Sequence, residues 1–211
     1  MPIILALLLN EIRVKWFKRV TQTLLYLPHF LSWVVIGATA YAMFATNTGV
    51  VNTLIANAGH SPIPFLQEDA WWLFSYVLIG IWQTMGWGTI IYLAAITNVN
   101  AELYEAAKVD GANRWQQCLH VTLPCIRSTI VVMLIMQLGK LMGGSFERIV
   151  ALSNAKATEF TTTIPVLVYK WFQGNKFSES TALGLFQSVI GVILVILSDK
   201  IAKKLGEDGL L

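Results

Sequence analysis

Residues 70–97 read AWWLFSYVLIGIWQTMGWGTIIYLAAIT, without a single Asp, Glu, Lys or Arg. A helix needs about 20 predominantly apolar residues to cross a bilayer, so this run spans one with room for tilt. It predicts a membrane helix and decides the fold class. Residues 22–45 and 181–198 also lack charged side chains, and residues 128–145 carry only Lys140. The whole chain agrees: 55% of its 211 residues are apolar and 13% are charged, against about 25% charged in an ordinary soluble domain. That composition argues against disorder, a fibre or a cytosolic enzyme. The net charge of +3 is small and scattered, which argues against nucleic acid as a partner. The expectation is an all-α, polytopic transmembrane helical bundle, one domain over residues 1–211, with four full spans and membrane lipid as its surroundings.

Residues 1–9 are apolar but too short to cross. They lack the basic start and small-residue cleavage site of a signal peptide, and read as a partial N-terminal span whose beginning is missing. Charge sets the orientation. Arg13, Lys15, Lys18 and Arg19 lie in residues 10–21; Lys108, Arg114 and Arg127 lie in 98–127; Lys200, Lys203 and Lys204 lie in the tail. The alternating segment 46–69 has no Lys or Arg, and 146–180 has Arg148, Lys156, Lys170 and Lys176. Positive residues favour the cytoplasmic side, so the first set is placed inside and the C-terminus is expected to be cytoplasmic. Trp71 and Trp72 then mark the outer interface, and Trp16, Phe17 and Tyr26 the inner one. Val50, Val51, Leu54 and Ile55 have helical spacing, and residues 164–172 form a second short apolar piece. Both are read as interfacial or re-entrant helices.

Several chemistries have no home. No acidic residue lies inside a span, where proton- and ion-coupled carriers usually place one. Gly139-Lys140 resembles the end of a phosphate-binding loop, but Leu134 and Leu141 stand where that loop needs Gly and Ser or Thr. No nucleophile with its base and no acid/base pair is visible. Cys118 and Cys125 have no metal-type or disulfide-framework spacing.

The segment between two spans, residues 98–127, reads NVNAELYEAAKVDGANRWQQCLHVTLPCIR. Asn100 is a helix N-cap, with Glu102 in the first turn where the helix dipole favours an acid. Asp110-Gly111 ends that helix, because Gly accepts the left-handed conformation. A second short helix follows, with Trp115 and Leu119 on one face. Leu123-Pro124 starts the next span, Pro being tolerated at a helix start. The expected product is a helix-turn-helix elbow outside the membrane, with a small Ala-Ala face.

Glu105-Ala106-Ala107, then Gly111, then Val121-x-Leu123-Pro124 resembles the EAA loop of ABC importer permeases. PIILALLLNE, YLPHFLSWVV, the tail LGEDGLL and Phe146-Glu147-Arg148-Ile149-Val150 resemble the oligosaccharide- and polysaccharide-type permeases of the binding-protein-dependent, MalF-like family. The resemblance covers essentially the whole chain and implies an N-terminally shortened permease. It implies that Glu105, Ala106, Ala107, Gly111, Leu123 and Pro124 dock on an ATPase, with residues 98–127 as coupling loop. It implies a second permease subunit, a cytoplasmic ABC ATPase dimer and an extracytoplasmic solute-binding protein, the last received by residues 46–69 and 146–180. It also implies that this chain is not itself an enzyme: ATP belongs to the partner ATPase and no cofactor to this chain. The expected cargo is a carbohydrate. A permease for a non-sugar solute and an inactive truncated remnant or scaffold remain as alternatives.

Sugars are held by aromatic faces and by amide or hydroxyl hydrogen bonds. Trp33, Trp82, Gln83, Gln137 and Lys140 are the polar or amphipathic groups expected at membrane depth, and hence the candidates for the substrate path. Each has a plainer role available: packing for the tryptophans, inter-helix bonds for the glutamines and snorkelling for Lys140. Gly139-x-x-x-Gly143 permits close helix contact. His29, beside Pro28, is read as packing at a kink.

Overall fold

A computed structural model of the chain describes residues 1–141, 143–153, 161–204 and 206. Lys156, and the LGEDGLL tail apart from Gly206, lie outside the described residues. All regular elements among the described residues are helical. They are α1 (Pro2–Glu11), α2 (Lys15–Tyr26), a 3-10 turn (Leu27–Phe30), α3 (Trp33–Phe44), α4 (Val50–Asn57), α5 (Asp69–Thr97), α6 (Ala101–Val109) and α7 (Arg114–Gln117). A π-helical turn (Cys118–Thr122), α8 (Leu123–Cys125), α9 (Arg127–Gly139), α10 (Phe146–Leu152), α11 (Ile164–Gln173) and α12 (Phe177–Lys204) complete the series.

Helix α5 matches the expected span closely, and α12 contains the last one. Each is long and apolar enough to cross a membrane. The other two expected spans are interrupted. Within residues 22–45, Pro28 lacks the N–H that would continue α2, and the chain tightens into the Leu27–Phe30 turn. Helix α3 restarts at Ser32, whose Oγ accepts from Val35 N–H at 3.4 Å. Within residues 128–145, α9 stops at Gly139. Gly143 N–H then donates to the Lys140 carbonyl at 3.1 Å, and Gly144 has φ +55°. Lys140 therefore stands in an exposed turn rather than inside a helix. The described helices supply two spans, or up to four if each broken pair counts as one.

The chain divides into two compact units, with α5 and α12 contributing a part to each. The first comprises Met1–His29, Thr84–Gly139 and Val192–Leu211. Its core joins Ala6 of α1, Tyr92 and Ile96 of α5, and Ile126 between α8 and α9. Fully buried Thr89 donates to the Pro2 carbonyl at 3.3 Å as well as to its own helix. Gly86 admits the end of α2: a Cβ there would lie 1.9 Å from the Leu25 carbonyl oxygen. Gly139 packs so closely on α12 that a Cβ would lie 2.5 Å from a Val195 methyl.

The second unit comprises Phe30–Gln83 and Lys140–Gly191. Ile36 and Ala40 of α3, Trp72 and Ile79 of α5, and Leu152 of α10 form its core. Trp72 donates its indole N–H to the Leu152 carbonyl at 2.8 Å. Ser180 of α12 donates to the Val168 carbonyl of α11 at 2.9 Å. Both short apolar pieces expected in the outer segments are helices, α4 and α11.

A candidate coupling elbow and the membrane-depth side chains

The elbow is built by side chains that satisfy helix ends. Asn100 Oδ1 accepts from Glu102 N–H at 3.0 Å, starting α6. The helix ends at Asp110, Gly111 takes φ +80°, and Ala112 N–H donates back to the Ala107 carbonyl at 2.8 Å. Asn113 and Gln116 then exchange reciprocal bonds of 2.9 and 2.8 Å, the capping box of α7. Gln117 Nε2 donates to the Ala112 carbonyl at 2.8 Å, bracing the turn from behind.

One contact closes the elbow on itself and another attaches it to the rest of its unit. Tyr104 of α6 and buried Thr122 share a hydrogen bond of 2.9 Å. Arg114 pairs with Glu11 at the end of α1. The path then bends by 63° between Arg114–Cys125 and Arg127–Gly139, and buried Ile126 marks the bend.

Of the expected docking residues, Glu105, Ala106 and Gly111 are exposed and Ala107 is half-buried. Ala107 and Gly111 line a shallow depression of about 320 Å³ with Asp110, Ala112, Gln116 and His120. Leu123 packs against the core of the first unit, and Pro124 is exposed within α8. The six residues thus fall on two parts of the elbow: a free outer turn and a root fixed to the bundle. Trp115 and Leu119 are both exposed, so this face adds apolar surface to the outer side.

The substrate-path candidates divide between the two units. Gln137 belongs to the first unit and the other four to the second. Gln137 and Lys140 are exposed, whereas Gln83 is buried. Trp82 edges an apolar groove of about 360 Å³ between α3 and α5, with Ile36, Thr39, Met43 and Leu78 among its lining. Trp33 lies beside Arg148, whose guanidinium carbon is 5.7 Å from its ring centre. In the sequence Arg148 stands only as one of the outer-segment charges, with no sign of this location. Its neighbours in the fold carry the signal, and α10 is too short to announce them. His29 stacks on Trp87, with ring centres 4.6 Å apart and planes within 7°.

A membrane-type helical bundle bearing such an elbow defines a transport subunit class, and the sequence comparison specifies it. The chain belongs to the family of binding-protein-dependent transport system inner membrane components, whose model matches residues 1–206. It is 46% identical to the polygalacturonan/rhamnogalacturonan transport system permease protein YteP of Bacillus subtilis (strain 168), over 99% of this chain and 65% of that protein. It is 42% identical to Protein LplB of the same strain, over 99% of this chain and 66% of that one. The chain therefore spans about two thirds of the length of these curated relatives. Its fold matches a chain in the crystal structure of a bacterial alginate ABC transporter in complex with alginate pentasaccharide-bound periplasmic protein. That match has a TM-score of 0.95 and 36% identity, covering 99% of this chain and 73% of the other.

Proposed function

We propose that this chain is a transmembrane subunit of an ATP-driven importer that carries an oligosaccharide across the cytoplasmic membrane by alternating access. The observation that carries this reading is the elbow: a short helix capped at both ends, turned by a left-handed Gly111, and exposing Glu105 and Ala106. Such an elbow offers a rigid knob to a cytoplasmic ATPase dimer. Its root runs through the Tyr104–Thr122 bond and Leu123 into the packed α5–α9 core, so a push on the knob reaches the spans. Glu105 meets a basic group on the ATPase, and the small Ala106 and Ala107 permit close approach.

A second permease subunit completes the pathway, and an extracytoplasmic binding protein delivers the cargo to the outer segments. The C-terminus is cytoplasmic, as the Lys and Arg distribution supports. ATP is bound by the partner, not by this chain. The relatives named for polygalacturonan/rhamnogalacturonan and for alginate support an acidic carbohydrate as the cargo. Affinity purification of this chain from its native membrane in mild detergent tests the assembly. Recovery of a second permease, an ABC ATPase and a sugar-binding protein is expected. Recovery of this chain alone from an assembly-preserving extraction overturns the reading.

A further inference from the structure

Arg148 lies on the first turns of α10, half-buried in the second unit. Its guanidinium carbon sits 3.8 Å from the centre of the Tyr76 ring, close enough for strong cation–π attraction. Its Nη2 donates to the Tyr76 hydroxyl at 2.7 Å, and Trp33 flanks it on the α3 side. Gly80 makes the room: a Cβ there would fall 1.8 Å from Arg148 Nη1. The Arg148 Nε is buried and has no hydrogen-bond partner among the described residues. Nor does any carboxylate among the described residues pair with this guanidinium.

Depth makes this arrangement costly. Gln83 is the midpoint of Asp69–Thr97, so Gly80 stands three residues, or about 5 Å along the axis, from the middle of a spanning helix. A charged side chain near the bilayer midplane is expensive and ordinarily faces a partner or an aqueous pathway. The nearer lipid headgroups are about 10 Å away at that depth. A substrate carboxylate that reaches Arg148 therefore arrives along the pathway and not from the lipid surface.

We infer that Arg148 is a specificity-determining residue that holds a carboxylate of the passing sugar chain, with Trp33 and Tyr76 offering the aromatic faces that sugars stack on. The inference rests on the oligosaccharide-importer reading above. A guanidinium fork grips a carboxylate through paired, charge-assisted bonds. Converting the acid to an ester removes both the charge and one acceptor.

The test uses the assembled importer, with its ATPase and binding protein, in proteoliposomes. The probes are a galacturonate trisaccharide and its fully methyl-esterified form. The binding protein is the same for wild type and variant, so its own preference cancels in the ratio of the two. Arg148→Gln is expected to slow uptake of the acid by about 10-fold or more, with the ester changed less than about twofold. Arg148→Lys, which keeps the charge but not the fork, is expected to recover only part of the acid rate, above the level of Arg148→Gln. Equal loss of both probes, or unchanged uptake of the acid, overturns the assignment: the first outcome makes Arg148 a structural staple or the partner of a carboxylate on another subunit. If the wild type rejects the ester, Arg148→Lys decides. Partly retained acid uptake supports the charge role, and loss to the level of Arg148→Gln overturns it. If Arg148→Gln does not assemble, Tyr76→Phe takes its place, with selective loss for the acid in support and equal or no loss against. A wild-type complex that carries neither probe overturns the acidic-oligosaccharide reading itself.

Discussion

The Asn52 side chain pairs with the backbone of Ile63 in both directions. Its Oδ1 accepts from Ile63 N–H at 2.7 Å, and its Nδ2 donates to the Ile63 carbonyl at 2.8 Å. The same amide also donates to the Ala45 carbonyl at 3.1 Å. One buried side chain thus closes the segment between α3 and α5 onto α4. Replacing Asn52 with Ala strands the Ile63 N–H, whereas the Ala45 and Ile63 carbonyls keep the Gly49 and Phe65 N–H donors; a stranded buried group costs about 1–3 kcal/mol. The expected result is a melting temperature several degrees lower in detergent, with faster amide exchange at Ile63. An unchanged melting curve would show that water replaces the side chain without penalty.

Gly86 and Gly184 predict opposite responses to the same methyl group. At Gly86 the new Cβ would meet the Leu25 carbonyl oxygen at 1.9 Å and carbon at 2.5 Å. Both are backbone atoms that cannot rotate away, so Gly86→Ala is expected to cost about 1–3 kcal/mol through forced displacement. At Gly184 nothing lies within 4 Å. Within helix α12, Gly184→Ala is expected to be neutral or to gain up to about 1 kcal/mol from helix propensity. Thermal unfolding of the purified chain in detergent measures both. Equal behaviour of the two variants would contradict the close approach of α2 to α5.

Cys118 and Cys125 should differ in thiol chemistry. Burial pushes the Cys118 thiol above its ordinary pKa, and the nearby Glu11 charge pushes it further the same way. A raised pKa means less thiolate at neutral pH, and the thiolate is the reactive form. Maleimide labelling at pH 7.5 is therefore expected to reach exposed Cys125 before half-buried Cys118. Glu11→Gln removes the smaller cause and should modestly accelerate labelling at Cys118 alone. The Glu11–Arg114 pair is more than half exposed on both sides, so the same variant should change stability by less than about 1 kcal/mol. A large loss of stability would mean that this pair, rather than Leu123, roots the elbow.

How far the fold was legible follows from where each signal sits. Residues 70–97 announced α5 because an uncharged run of that length has one solution in lipid. The elbow was legible because caps are local: Asn100, Asp110 and Gly111 act within a turn of their own position, and each does so in the structure. The interruptions were harder. Pro28 marks a kink in the sequence, but Ser32 does not mark a new N-cap, since one hydroxyl in an apolar run gives little pattern. The stop at Gly139 was masked by hydrophobic residues on both sides of it. Arg148 was missed for a different reason. Its position depends on Tyr76 and Gly80, some seventy residues earlier, and the sequence around α10 says nothing of them. Among the substrate-path candidates, Trp33 gained a charged neighbour from the fold, whereas Gln137 and Lys140 proved exposed.

Gly111 allows the elbow's backbone to be separated from its surface chemistry. Its φ of +80° lies in the region that most side chains avoid. Yet a Cβ there would meet nothing within 4 Å, so any penalty comes from conformation and not from crowding. Asn visits the left-handed region readily, and β-branched residues do not. In the proposed importer, Gly111→Asn should therefore keep most ATP-dependent uptake. Gly111→Val should lose most of it, while reaching the membrane at the wild-type level. The decisive readout is uptake per ATP hydrolysed, because a distorted elbow loosens the link between hydrolysis and movement. Equal loss in Asn and Val variants would shift the explanation from backbone geometry to an ATPase surface that accepts no side chain at this turn.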